Sequence, residues 1–192
     1  MITSRQSETV FLQALEHLRL AAFQVDAEDA GLFISLSPSV LQIAGLPAWE
    51  LLAGSRRWTD LIHRDDLRAV LDARTAACRS EEKCYSVQYR IIRPDGEARW
   101  LEERGSCNQP RILCGVIDDI TERIREIRDL RESEAKYREL MERAGDAIVA
   151  ADALTGIILE VNQKACELFD YTREELIGRH QRELHPRKFQ LE

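Results

Sequence analysis

Tyr89-Arg90-Ile91-Ile92-Arg93-Pro94-Asp95-Gly96-Glu97-Ala98-Arg99-Trp100 stands near the middle of this chain of 192 residues. A turn ending in glycine separates two strand-like segments. In the first of them Tyr85, Val87, Tyr89 and Ile91 alternate with Ser86, Gln88 and Arg90, the period-two signature of a strand with one buried and one more polar face. A third segment, Ile112-Leu113-Cys114-Gly115-Val116-Ile117, is apolar on both faces, so it belongs in the middle of a sheet. It leads into Asp118-Asp119-Ile120-Thr121-Glu122-Arg123 and a long charged helix. Strands are expected over 84–93, 97–107 and 111–118, and the helix over 120–144.

This succession resembles the C-terminal half of a PAS domain, the part often called PAC, with its Asp-Ile-Thr junction at Asp119-Ile120-Thr121. The resemblance implies an α+β fold: a five-stranded antiparallel sheet with helices on one face and the last strand central, followed by a long helical linker. PAS domains are sensory and dimerisation modules. The run Asn162 to Gly178, with Ala165-Cys166-Glu167-Leu168-Phe169 and Glu174-Glu175-Leu176-Ile177, resembles the opening of a second such domain. It repeats the first domain from Ser37 through Gly45 to Leu52, and Leu61-Ile62-His63 has an echo in Glu183-Leu184-His185. The expected organisation is an N-terminal amphipathic helix (1–19), a complete PAS domain (20–120), a coiled-coil signalling helix (121–144) and the first half of a second PAS domain (145–192). A half sheet leaves unpaired edges, so the chain reads as a fragment of a longer protein.

Outward from the hairpin the pattern continues. Phe11, Leu15, Leu18 and Ala22 recur at helical spacing over 8–22, a natural cover for the second face of the central strand, from the same chain or a partner. Phe23–Asp26 and Leu32–Leu36 read as short strands around Asp29-Ala30-Gly31. Short helices follow over 39–53, interrupted by Gly45 and Pro47, then a helix over 65–79 opened by Asp65-Asp66, whose carboxylates suit the positive end of a helix dipole. In the linker, Asp119 and Glu122 have the spacing of a capping box. Ile117, Ile120, Ile124 and Ile127 recur every three or four residues, and the rhythm restarts at Leu130 with Tyr137 and Met141 in phase. The early step to Leu130 has the form of a stammer, which overwinds a coiled coil. A narrow apolar stripe among Arg and Glu favours a two-stranded coil over a solvated linker packing on its own domain. A homodimer through Phe11, Leu15, Leu18, Ile120, Ile124, Ile127, Tyr137 and Met141 is expected.

Composition narrows the function. A net charge of −7 and a pI near 5.3 oppose binding to nucleic acid or an anionic membrane. No apolar run approaches the roughly 20 residues that span a bilayer, and the N-terminus has no signal-peptide core, so a cytoplasmic chain is expected. The cysteines, Cys78, Cys84, Cys107, Cys114 and Cys166, form no Cys-x-x-Cys, and no metal site is expected. The resemblance would place a haem ligand on the helix from Asp65 to Cys78, which has no histidine, and a flavin-reactive cysteine between Trp49 and Thr59, where there is none. No cofactor is predicted. A non-covalent ligand such as a flavin stays open, with Trp58, Tyr89 and Trp100 as candidate lining residues, although packing is the better reading of the tryptophans. No P-loop, ATP-lid glycines or catalytic triad stands out, so the chain is read as non-enzymatic, with an effector such as a histidine kinase or diguanylate cyclase beyond residue 192. A two-residue Asp95-Gly96 turn would set Cys84 opposite Cys107 as a redox pair. The favoured function is a sensory region that dimerises and passes a signal through Asp119, Ile120, Thr121 and Glu122 to the coil. The alternatives are a constitutive scaffold, or a PAS domain holding a small ligand.

Overall fold

A computed structural model describes residues 17–26, 29, 31–109 and 112–184. The chain divides into two compact units, 1–125 and 126–192. The first contains a five-stranded antiparallel sheet in the order β2-β1-β5-β4-β3. Its strands are β1 (Leu20–Asp26), β2 (Phe33–Leu36), β3 (Cys84–Ile92), β4 (Ala98–Gln109) and β5 (Ile112–Asp119). The doubly apolar segment is the central strand. Leu113 and Ile117 are wholly buried on its inner face, whereas Ile112, Cys114 and Val116 are half-buried on the outer one. The outer face is thus only partly covered among the described residues.

Four helices lie between β2 and β3: α1 (Val40–Ala44), α2 (Ala48–Leu52), α3 (Trp58–Leu61) and α4 (Leu67–Arg79). The break between α1 and α2 falls at Gly45, which is left-handed, and at Pro47, which starts α2. Their apolar sides join the inner face of the sheet in one core that includes Phe23, Phe33, Leu51, Trp58, Val70 and Ile117. The rings of Phe23, Phe33 and Trp58 meet edge to face at 5.9 and 5.5 Å.

Three expectations need correction. Residues 20–22 are not the end of an N-terminal helix, because their backbone forms the β1 ladder with β5, Leu20 opposite Asp118. Leu18 sits in a turn and is 64% exposed, while Phe11, Leu15 and the 8–16 part of the helix expected over 8–22 lie outside the described residues, as does His185. Second, α4 starts at Leu67, and Asp66 gives its carboxylate to Arg90 instead of the helix end. Third, Cys84 faces Ser106 and not Cys107. The hairpin loop is Pro94-Asp95-Gly96: Gly96 N–H donates to Arg93 O at 2.9 Å, and Arg93 N–H to Glu97 O at 2.9 Å. Gly96 has φ +86°, as a three-residue loop with a left-handed last residue requires. One extra loop residue moves every cross-strand partner by one and puts Cys84 and Cys107 on opposite faces.

From β5 the chain enters α5 (Thr121–Arg143), 23 residues long. The second unit carries a hairpin of β6 (Val149–Ala151) and β7 (Ile158–Val161), then α6 (Gln163–Phe169), α7 (Arg173–Leu176) and a 3-10 turn at Gln181–Glu183. Ile158, Val161, Ala165 and Leu176 form its small core.

Candidate functional site

Two clusters of polar side chains stand out in the first unit, one inside the core and one where the sheet gives way to α5. The interior cluster begins with alternation on β4. Leu101, Glu103 and Cys107 all point inward, so a carboxylate is carried into the core and is wholly buried. On α4 the buried stripe runs Val70, Arg74 and Ala77, so a guanidinium enters from the other side. Arg74 donates from Nε and NH2 to the two Glu103 oxygens at 2.7 and 2.8 Å. The Tyr85 hydroxyl donates to Glu103 Oε1 at 2.5 Å and the Tyr89 hydroxyl to Oε2 at 2.7 Å, while Trp58 Nε1 donates to the Tyr89 oxygen at 2.9 Å. Arg74 also lies over the Phe23 ring, 5.7 Å from its centre.

A buried charge survives only when paired and hydrogen-bonded, and each carboxylate oxygen here takes two donors. Burial by itself pushes the Glu103 carboxyl up, but the adjacent Arg74 charge and the three hydrogen-bonding side chains hold it below the usual carboxylate range. The same burial, with the Glu103 charge alongside, raises both tyrosines above their ordinary value. At neutral pH the cluster is one anion, one cation and two neutral phenols. Its chemistry is structural: the carboxylate and guanidinium neutralise each other inside the core. Glycine makes room for it. A Cβ on Gly105 would lie 2.8 Å from the Tyr85 ring, and one on Gly115 would lie 2.3 Å from Arg104 O and 2.9 Å from the Phe23 ring.

The sequence singled out Trp58, Tyr89 and Trp100 as one candidate lining. The structure joins the first two and separates the third. Arg74, Tyr85 and Glu103 were not singled out, although a signal exists: each charge interrupts an apolar stripe, Arg74 at helical and Glu103 at strand spacing. Among the described residues no group of three or more His, Cys, Asp or Glu side chains is arranged to hold a metal ion. An open groove of about 620 Å³ runs along β1, β2 and β5, with Gln24, Ser37 and Cys114 on its walls.

Trp100 belongs to the junction. Its backbone N–H donates to Thr121 Oγ1 at 2.9 Å, and its carbonyl accepts from Ile120 N–H at 2.9 Å. Asp119 Oδ1 accepts from Thr121 N–H at 3.0 Å and from the Thr121 hydroxyl at 2.5 Å, while Oδ2 accepts from Arg99 at 3.1 Å. Thr121 and Ile120 are buried. The expected capping box is therefore replaced by a turn across two residues. Asp119 holds Thr121 rather than Glu122, and Glu122 lies at 3.4 Å from Arg19 on the surface. Further out, Glu97 bonds Arg99 and Arg93, and that pairing with Arg99, first of all, keeps its carboxyl low. On the outer side of the hairpin Arg90 lies over the Trp100 ring at 5.4 Å and is gripped by Asp66 at 2.8 Å through both oxygens. The start of α4, strands β3 and β4 and the start of α5 are thus joined by Asp66, Arg90, Trp100 and Thr121.

Along α5, Ile124 is half-buried, whereas Ile127, Leu130 and Tyr137 are 43, 61 and 50% exposed. Met141, expected on the coil seam, is instead buried in the second unit, where its carbonyl accepts from Asn162 Nδ2 at 3.0 Å. Asn162 is wholly buried and fully used. It also donates to Asp146 O and accepts from Ile148 N–H and Ala165 N–H, both at 2.9 Å. Glu142 accepts from Gln163 N–H at 2.9 Å and bonds Arg173.

Two family profiles, each described as the PAS fold, match residues 33–111 and 135–190. Among solved structures, the chain is similar to a sensory box histidine kinase/response regulator from Burkholderia thailandensis at 30% identity and a TM-score of 0.53, covering 68% of this chain and 98% of that one. An RNA-binding light-oxygen-voltage receptor shares the fold at 19% identity and a TM-score of 0.52, over 70% of this chain and 39% of that one. The N-terminal domain of a diguanylate cyclase with PAS/PAC sensor from Marinobacter aquaeolei is similar at 18% identity and a TM-score of 0.42, over 54% of this chain and 97% of that one. No match was found among curated proteins.

Proposed function

Because this chain belongs to the PAS family, with one whole PAS fold and part of a second, we propose that it is the sensory region of a cytoplasmic signal-transduction protein, acting as a homodimer and passing conformational change from the first sheet through Asp119-Ile120-Thr121 into α5. The observation that carries this reading is the junction itself. The central strand runs directly into a long helix whose first residue is hydrogen-bonded to the neighbouring strand, Thr121 to Trp100. Through that bond a shift of β4 relative to β5 would act on the start of α5. The 30% identical relative, a sensory box histidine kinase/response regulator, supports an effector of that kind, carried in the same polypeptide. The exposed Ile127 and Leu130 supply a seam for a second copy. The chain itself is proposed to be non-enzymatic.

The Arg74–Glu103 cluster occupies the space between α4 and the sheet, which favours a stimulus other than a ligand held in that core. The test is output in the parent polypeptide. Thr121→Val removes the hydroxyl that bridges Asp119 and Trp100, and a changed basal output or stimulus response is expected with the fold retained. Unaltered output in a working assay would leave the constitutive scaffold as the better description.

A further inference from the structure

The far end of α5 lies in the second unit, which starts at Glu126, and two of its residues are committed there. Asn162 Nδ2 donates to Met141 O at 3.0 Å. Glu142 divides its carboxylate between the heads of two helices. Oε2 accepts from the N–H of Gln163, the first residue of α6, at 2.9 Å. Oε1 bonds the guanidinium of Arg173, the first residue of α7. Both residues of this ion pair are half-buried.

We propose that Glu142 is the positioning residue through which α5 moves the second PAS half: its grip on Gln163 and Arg173 makes the heads of α6 and α7 follow a turn or slide of α5, so that this half is the receiver of the signal. This role rests on the reading of α5 as the carrier of the signal and adds where the signal is delivered.

The first N–H groups of a helix have no partner within it. At α6, Asn162 Oδ1 takes that of Ala165 at 2.9 Å and Glu142 takes that of Gln163, so the head of α6 is closed in part by a residue of α5. The neighbouring charges on α5 pair differently. Glu132 with Lys136 and Glu139 with Arg143 pair within the helix itself, at 2.9 and 3.0 Å, whereas Glu142 reaches 31 residues along the chain to α7. The Gln163 N–H, first of all, and Arg173 hold its carboxyl below the usual carboxylate range, so the grip is made at neutral pH. Asn162, bonded to Met141 O and Asp146 O at 3.0 and 2.9 Å, fixes the end of α5 to the start of α6, and Glu142 extends that hold to α7.

The test measures amide exchange of the 192-residue chain and output of the parent polypeptide, for Glu142→Ala and for the exchanged pair Glu142→Arg with Arg173→Glu. The amides to follow are Gln163 and Ile177, whose N–H closes α7 on Arg173 O. In Glu142→Ala their exchange is expected to rise roughly three- to fivefold, with Ile158 and Val161 still protected, and the stimulus response is expected to fall. The exchanged pair restores the bond to α7 but gives the Gln163 N–H no acceptor. Protection of Ile177 and the response should therefore return while Gln163 stays fast, a split that a purely capping role would not produce. An unaltered response in Glu142→Ala, or a response still lost once Ile177 protection has returned, would overturn the proposal. Thr121→Val separates the two readings. A response changed by Thr121→Val and not by Glu142→Ala removes this role and keeps the junction, and the reverse removes the junction and keeps this role.

Discussion

Glu103 carries a full charge at a position with no exposure to solvent, and four donors from Arg74, Tyr85 and Tyr89 satisfy it. Breaking such a buried pair by removing one partner costs about 3–5 kcal/mol, because a charge is left in the core. Glu103→Gln is therefore expected to lower the melting temperature of the first unit by more than 10 °C. The double replacement Arg74→Met with Glu103→Leu should recover much of this loss. Recovery stays partial, since the Tyr85 and Tyr89 hydroxyls lose their acceptor and a stranded buried hydroxyl costs about 1–3 kcal/mol. A thermal melt of the two variants checks both. The pair also sets the pH limits of stability. The folded Glu103 carboxyl is held low, so its contribution is complete above the unfolded value of about 4.3 and is lost as pH falls through the lower folded value. The tyrosines are raised, so theirs is complete below about 10 and declines as pH climbs from there toward the folded values. Chemical denaturation across pH should show a plateau between these limits, and a first unit whose stability already declines between pH 5 and 9 would contradict this assignment. This cluster was the least legible part of the sequence. Arg74 and Glu103 look like ordinary surface charges until their neighbours are placed on faces, because pattern reading assigns charges to solvent by default.

Among the elements, the central place of β5 was legible, because a short segment that is apolar on both faces belongs in the middle of a sheet, whereas the full strand order was not. Nor was register. Whether Asp95-Gly96 or Pro94-Asp95-Gly96 forms the loop changes every partner along β3 and β4, and both loops are compatible with the residues. The junction was legible by position but not by mechanism. Asp119 serves Thr121 and Arg99, and the capping box that the spacing suggested goes unmade. Thr172, by contrast, makes a capping box with Glu175 at the start of α7. Asp119→Ala removes three acceptor contacts at a half-buried site, and loss of such hydrogen bonds costs about 1–2 kcal/mol. The melting temperature of residues 1–144 should therefore fall by several degrees with the sheet intact by circular dichroism. Outright unfolding would make Asp119 a core structural residue instead of a coupling one.

At the scale of the whole molecule, α5 presents Ile127 and Leu130 to solvent, and the proposed dimer is expected to cover them. Ile127→Glu places a charge on that seam without touching either core. Sedimentation at tens of micromolar, a concentration that populates ordinary dimers, should show a dimer for the unaltered chain and a shift toward monomer for the variant. A monomer in both would remove α5 as an interface. No helix among the described residues is long and apolar enough to cross a membrane. On the proposed function the start of α5 is held by the sheet, so that movement in one is movement in the other. Amide hydrogen exchange of the unaltered chain and of Thr121→Val tests this most directly. Coupling through Trp100 and Asp119 predicts faster exchange over the first turns of α5, residues 121–128, and at the β4 end near Trp100, with Leu113 and Ile117 still protected. Equal protection of α5 in the two proteins would contradict it.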